Sequence, residues 1–267
     1  MVTNVLYLGR VAYATALELQ RTLQQMRKAG RIENTLLLLE HPPVITLGRS
    51  AQLANVVAPP EFLAQHGVEL FETDRGGDVT FHGPGQLVAY PIVDLRSFSP
   101  KVGAVEYVRR LEEVLIRTCS DYGIGTQRIK GLTGVWTYAL PKKPEAKIAA
   151  IGVHISRAVT THGFAMNVST DLDFFLLIVP CGIADKPVTS MERELQKLVP
   201  LEEVATSASR NFGRVFQSQM LWLESLDDLL AQAATAAPET SKPANQDTPA
   251  KAPKELRDLY GDGSELA

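Results

Sequence analysis

The stretch Thr35 to Glu40, TLLLLE, constrains the fold more than any other, and His41-Pro42-Pro43 closes it off at once. Four consecutive leucines leave no polar face, and the run is too short for an ordinary helix. It therefore reads as a strand buried on both sides, which requires packed layers above and below it. Val44 to Leu47 resumes as a neighbouring strand and ends at Gly48. Further strands are expected at Val5 to Leu8, Val68 to Glu72, Val79 to Phe81, Leu87 to Val93, Val135 to Tyr138, Lys147 to Ile155 and Phe164 to Val168. Helical patterns cover Tyr13 to Ala29, Pro59 to His66, Val102 to Tyr122, Ser190 to Lys197, Leu201 to Gln219 and Leu221 to Ala234. In the helix from Val102, residues Val105, Val108, Leu111, Leu115 and Ile116 form the expected apolar stripe.

This order predicts a single α+β (α/β) domain over residues 1–235, with a mostly antiparallel sheet flanked by helices. Residues 236–267 turn to Ala, Pro, Lys, Thr and Asp. Such a segment cannot bury enough surface to offset its ordering entropy, so a disordered tail is expected there. From Pro238 onward the tail holds six acids and four bases, which accounts for −2 of the chain's net −3. A body near −1 does not suit a surface that grips nucleic acid or an anionic membrane. The cysteines number only two, Cys119 and Cys181, which favours a reducing compartment over a disulfide-stapled secreted fold. With no secretory leader pattern and no apolar run of ~20 residues, the expectation is a soluble, cytoplasmic protein; a monomer is expected, although no sequence feature fixes the oligomeric state.

Four glycines crowd Arg75 to Gln86, RGGDVTFHGPGQ, with Arg75 and His82 among them. Glycine lets a ligand approach the main chain closely, but tight turns alone could also require this density. The stretch lacks the Gly-Lys-Ser/Thr ending of a phosphate loop and the spacing of the dinucleotide fingerprint. Cys181 sits between Pro180 and Gly182, a setting that suits a nucleophile held on a tight turn. A buried inert thiol is the commoner fate of a lone cysteine, and Cys119, within the long helix, reads as core. Lys147 opens KIAAIGVHI; an ammonium near a thiol favours the thiolate, although a solvated strand-end lysine is the plainer reading. His41 reads as a turn residue bonded to backbone, and His82 and His162 as candidates to meet a ligand. His154 alternates to the strand face opposite Lys147. No spacing of histidines or cysteines suggests a metal site.

Five segments, taken in order, resemble the lipoyl(octanoyl) transferase family. They are Glu40 to Gly48 (EHPPVITLG), Arg75 to Leu95 (RGGDVTFHGPGQLVAYPIVDL), Lys147 to Val153 (KIAAIGV), Thr161 to Val168 (THGFAMNV) and Pro180 to Ile183 (PCGI). Met166 stands where the family usually carries leucine. The resemblance implies the fold of the biotin and lipoate ligase catalytic domain, with Cys181 forming an acyl thioester and Lys147 tuning it. It implies that the acyl chain is held by Arg75, Gly76, Gly77, Asp78, Val79, Thr80, Phe81 and His82, by Ala150, Ile151 and Gly152, and by Gly163, Phe164 and Ala165. Phe164 and Leu87 are expected as apolar walls. The implied substrates are octanoyl-acyl carrier protein and the apo lipoyl domains of 2-oxoacid dehydrogenase complexes and of the glycine cleavage H protein. Neither ATP nor metal is expected as cofactor. An acidic carrier calls for a basic patch, and Arg49, Lys142 and Lys143 are the candidates. Two rivals are an ATP-dependent lipoate or biotin-type ligase on the same fold and a non-catalytic acyl-carrier-binding protein.

Overall fold

The computed structural model describes residues 1–141, 143–179 and 186–235. In chain order its elements are strand β1 (Val2–Arg10), helix α1 (Tyr13–Lys28), β2 (Asn34–Glu40), β3 (Val44–Leu47), α2 (Pro60–Gln65), β4 (Glu69–Glu72), β5 (Val79–His82) and β6 (Gln86–Ile92). There follow α3 (Ala104–Asp121), β7 (Thr126–Ile129), β8 (Leu132–Thr137), β9 (Lys147–Ser156), β10 (Val159–Asn167), α4 (Met191–Leu195), α5 (Leu201–Phe216), β11 (Gln219–Trp222) and α6 (Leu226–Thr235). Among the described residues, eight strands form one sheet in the order β11-β1-β2-β6-β10-β9-β8-β7, and β4-β3-β5 form a second. The large sheet is antiparallel except where β1 runs parallel to β2 and to β11. None of the described helices is long and apolar enough to cross a membrane.

The TLLLLE strand is β2, and its leucines divide between two cores as strand alternation requires. Leu36 and Leu38 face the core built with α3 and α5, around Tyr107, Leu111, Leu115, Phe212 and Phe216. Leu37 and Leu39 face the other core, where α1 supplies Ala16, Leu19 and Leu23 and α6 supplies Leu226 and Leu229. Burying each leucine on its own side stabilises the sheet by roughly 1.5–3 kcal/mol. A third cluster, with Ile45, Leu47, Val79, Phe81 and Phe175, backs the small sheet.

Two sequence expectations change, and one strand is added. Val105 is 77% exposed, because α3 begins at Ala104 and its first turn lies beyond the packed stripe. Residues 219–222 are a strand, not helix: Gln217 takes a left-handed φ of 53°, which ends α5 and turns the chain onto the open edge of β1. Short, polar β7 is also a strand that pattern alone does not reveal. The expected tail, 236–267, lies outside the described residues.

Phe212 is fully buried and stacks on Phe216 with ring centroids 4.3 Å apart. Phe212→Ala should therefore cost about 3–5 kcal/mol, read as a lower urea midpoint with the slope unchanged.

Candidate active site

A cleft opens on the α1 face of β9 and β10. Its floor is set by register. Gly163 pairs with Gly152, and Ala165 pairs with Ala150, so two adjacent cross-strand pairs carry nothing larger than a methyl group. A Cβ added to Gly163 would meet the Ala89 carbonyl oxygen at 2.2 Å, so close strand packing requires glycine there. The glycine-rich stretch forms one wall. Gly76 N–H donates to Val153 O (2.9 Å), while Arg49 N–H donates to Arg75 O (2.9 Å) and Ser50 N–H to Gly77 O (3.1 Å). The Asp78 carboxylate accepts from Asn55 Nδ2 at 2.6 Å and from Gln52 N–H at 3.2 Å. The buried Arg75 guanidinium donates to Thr46 O (2.7 Å) and Thr46 Oγ1 (2.9 Å) and to Gly76 O (3.1 Å).

Of the implied acyl-binding residues, Arg75, Gly76, Gly77, Asp78, Thr80, His82, Ala150, Ile151, Gly152, Gly163, Phe164 and Ala165 border this cleft. Val79 and Phe81 do not. Alternation along β5 sends them into the core behind the small sheet. Leu87 likewise points into the α3–α5 core, and Val88 takes the wall position assigned to it. The Phe164 side chain also packs in that core, although the residue borders the cleft. His162, a candidate from the sequence, lines the cleft, and so do Tyr13 and Tyr90, which sequence reasoning missed. Spacing could have found Tyr90, since Val88 and Tyr90 share one face of β6. Tyr13 comes from a helix start distant in sequence.

Buried polar groups form a hydrogen-bonded series around the cleft. His41 Nδ1 meets Val11 O at 2.7 Å and Nε2 meets the Tyr90 hydroxyl at 2.7 Å. Because the carbonyl can only accept, Nδ1 carries the proton and Tyr90 donates to Nε2. His82 Nδ1 lies 2.7 Å from Gln86 Oε1, which makes it the donor. Gln86 Nε2 donates to Asn167 Oδ1 (2.8 Å), and Asn167 Nδ2 donates to Thr189 O (3.0 Å). Burial pushes the His41 pKa down to about 4 and that of His82 to about 3. At the rim, His162 Nε2–H donates to Asp74 at 2.8 Å, and that hydrogen bond holds the Asp74 carboxyl down at about 2. Burial lowers the His162 pKa, against the opposing pull of the Asp74 carboxylate. His154 lies 3.7 Å from the same carboxylate.

Lys147 is buried, and its main chain is tied to the 187–189 segment. Its N–H donates to Pro187 O, and its carbonyl accepts from Thr189 N–H, both at 2.9 Å. Register jumps from Val135 opposite Ala149 to Trp136 opposite Lys147, leaving Ile148 as an extra residue. Ile148 and Ala149 both enter the α3–α5 core. The bulge therefore moves Lys147 onto the face shared by Ala150, Gly152 and His154, which corrects the expected opposition of His154 and Lys147. The two remain far apart, at opposite ends of β9.

Cys181 and Lys142 lie outside the described residues. Flanking Cys181, Val179 N–H donates to Asn55 O at 2.7 Å. Cys119 is fully buried, and burial raises its thiol to about 12, as a core role predicts. Of the expected basic patch, Lys143 is ion-paired with Glu194 and Arg49 is exposed. The described residues contain no cluster of three or more His, Cys, Asp or Glu side chains able to hold a metal.

Architecture and cleft together define a catalytic domain of the lipoate-protein ligase fold. The structure is similar to a bipartite lipoate protein ligase from Thermoplasma acidophilum, with a TM-score of 0.66, 17% identity and coverage of 90% of this chain and 95% of that one. It is similar also to lipoate-protein ligase A bound with ATP, with a TM-score of 0.65, 16% identity and coverage of 88% and 94%. Residues 12–213 match the family model for the lipoyl protein ligase A/B catalytic domain, and the chain belongs to that family. Among curated relatives, an octanoyltransferase from Koribacter versatilis is 63% identical over 263 residues, covering 98% of this chain and 99% of that one. An octanoyltransferase from Acidobacterium capsulatum is 61% identical, with coverage of 88% and 98%.

The buried neutral histidines give the fold a pH dependence of definite sign. Unfolded, each titrates near ~6.5; folded, His41 and His82 hold off the proton down to about 4 and about 3. Their contribution is present in full above the unfolded value and is lost as pH falls from there through the folded values. The urea midpoint should fall steadily from pH 7 to pH 4, while the His41 and His82 ring resonances in NMR spectra stay unshifted between pH 8 and pH 5.

Proposed function

We propose that the chain is an octanoyltransferase that moves an octanoyl group from acyl carrier protein to a lysine of a lipoyl domain through a Cys181 thioester. The acceptors are apo lipoyl domains of 2-oxoacid dehydrogenase complexes and the glycine cleavage H protein, and the setting is the cytoplasm. The observation that carries the reading is the floor at Gly152–Gly163 and Ala150–Ala165, where nothing larger than a methyl group projects, on the same sheet face as Lys147. A narrow apolar floor suits a straight alkyl chain, whose burial contributes ~0.8 kcal/mol per methylene. The octanoyltransferase name of relatives above 60% identity supports the same assignment.

In this mechanism Lys147 begins as the ammonium that stabilises the Cys181 thiolate. The thiolate attacks the carbonyl carbon of the octanoyl thioester, and the C–S bond to the carrier breaks. The leaving carrier thiolate takes a proton from Lys147, leaving enzyme thioester and neutral amine. The acceptor lysine then attacks as a free amine, Cys181 departs as thiolate, and Lys147 collects the proton released on forming the amide. One cycle restores both groups. A backbone N–H near Gly182 stabilises the tetrahedral oxyanion, a contribution of about 3 kcal/mol in comparable sites. Exchange of one thioester for another, followed by amide formation, is downhill, so neither ATP nor metal is required. An ATP-dependent ligase would instead activate a free acid and need no nucleophilic cysteine.

Mixing the protein with octanoyl-carrier protein in the absence of ATP should add one octanoyl mass, labile to hydroxylamine, mapped by peptide mass spectrometry to Cys181. Cys181→Ser should abolish both the adduct and the transfer. A Cys181→Ser protein that still lipoylates its acceptor would reject the reading.

The floor gives a second check. Ala150→Leu places three more carbons beside Gly152. It should lower kcat/KM for octanoyl transfer at least tenfold while leaving butanoyl transfer within about twofold, since a single methylene in a pocket is worth ~10–200-fold. Equal losses for both chains would show that Ala150 does not border the acyl group.

A further inference from the structure

We propose that Trp136 is the positioning residue for Lys147, its indole face holding the ammonium in place for Cys181. The inference rests on the octanoyl-transfer reading and adds a residue to it. Lys147 Nζ lies 4.8 Å from the centroid of the Trp136 ring, inside the ~6 Å range over which an indole face attracts a cation. The ring is 1% exposed, so water competes little for the ammonium. Lys186 Nζ, ion-paired with Glu145, sits 6.0 Å from the same ring. One indole thus collects two cations, from strand β9 and from the chain just after Cys181.

Two further observations argue that the ring is there for its face. The Trp136 Nε1–H is buried and has no hydrogen-bond partner, a cost that a smaller apolar residue would avoid. Backbone irregularity also converges on this pair. The extra residue Ile148 is what places Lys147 opposite Trp136; without it, alternation would turn the lysine into the α3–α5 core. In the mechanism above, Lys147 is charged at the two moments that matter, when Cys181 is a thiolate and when the acceptor's proton has been taken up. A π face that stabilises ammonium over amine serves both.

The chain has two tryptophans, and Trp222 stands on the exposed edge strand. In a Trp222→Phe background, tryptophan carrying one to four ring fluorines can replace Trp136 alone, keeping its shape while draining charge from its face. The expected result is a stepwise fall, about tenfold across the series, in the rate of Cys181 alkylation by iodoacetamide at pH 7 and in kcat for octanoyl transfer. The alkylation midpoint should move to higher pH, and KM for octanoyl-carrier protein should stay constant. Trp136→Phe should lie between the parent and Trp136→Leu. A flat fluorine series in a protein that still forms the Cys181 thioester overturns the role of Trp136 and leaves the transferase reading intact. Loss of melting temperature without a moved alkylation profile overturns it too, as a merely structural effect. A parent protein that forms no adduct at Cys181 overturns both.

Discussion

A sheet covered on both faces has room for a ligand only where side chains are small or missing, and here two successive pairs on one face carry at most a methyl group. Gly163 opposite Gly152 and Ala165 opposite Ala150 interrupt a face otherwise filled by Val88, Tyr90 and the leucines of β2. Helix α1 cannot close the gap, because the glycine-rich stretch stands in the way, zipped to residues 48–50 and hydrogen-bonded to Val153. That zip requires its own glycine: a Cβ on Gly48 would lie 2.3 Å from the Gly77 carbonyl oxygen. The cleft is therefore a consequence of missing side chains on the large sheet and of close backbone approach by the small one. The small sheet serves as the wall, and its apolar residues Val79 and Phe81 anchor that wall from behind.

The polar groups around this opening are held by one another. A buried amide left without a partner costs about 1–3 kcal/mol, so the series from His82 through Gln86 and Asn167 to Thr189 has few other stable settings. Each member dictates the orientation of the next: Gln86 offers oxygen to the ring and nitrogen to Asn167, and Asn167 then offers nitrogen to the Thr189 carbonyl. Thr189 is in turn bonded to the main chain of Lys147. A hydrogen-bonded path thus connects the cleft wall to the lysine, through two amides and a threonine main chain that carry no charge and a His82 ring that burial keeps neutral at neutral pH.

Much of this was legible in the sequence because it follows from local rules. The doubly buried strand at TLLLLE, the glycine need near Gly76 and the inert setting of Cys119 each depend on composition over a few residues. What was illegible depends on register. Parity along KIAAIGVHI sets Lys147 against His154, and one bulged residue, Ile148, reverses it. Val79 and Phe81 sit within a motif whose neighbours line the cleft, yet alternation turns them away. Tyr13 reaches the site from a helix start distant in the chain, and β11 forms because the open edge of β1 accepts a partner, although its residues also suit a helix. These are long-range facts, and periodicity carries no trace of them.

The same architecture is found in proteins described as lipoate-protein ligases at 16–17% identity, so the fold alone does not decide how the acyl group is activated. What the fold supplies is the bare floor and the wall, parts that any enzyme handling a straight acyl chain needs. On a regular β9, Lys147 would point into the hydrophobic core, where an ammonium is not tolerated. The bulge moves it to the cleft face, opposite an indole and bonded to the chain that follows Cys181. One irregular residue thus sets which face of β9 carries the buried lysine, and it does so without altering the Gly152–Gly163 and Ala150–Ala165 pairs that leave the floor bare.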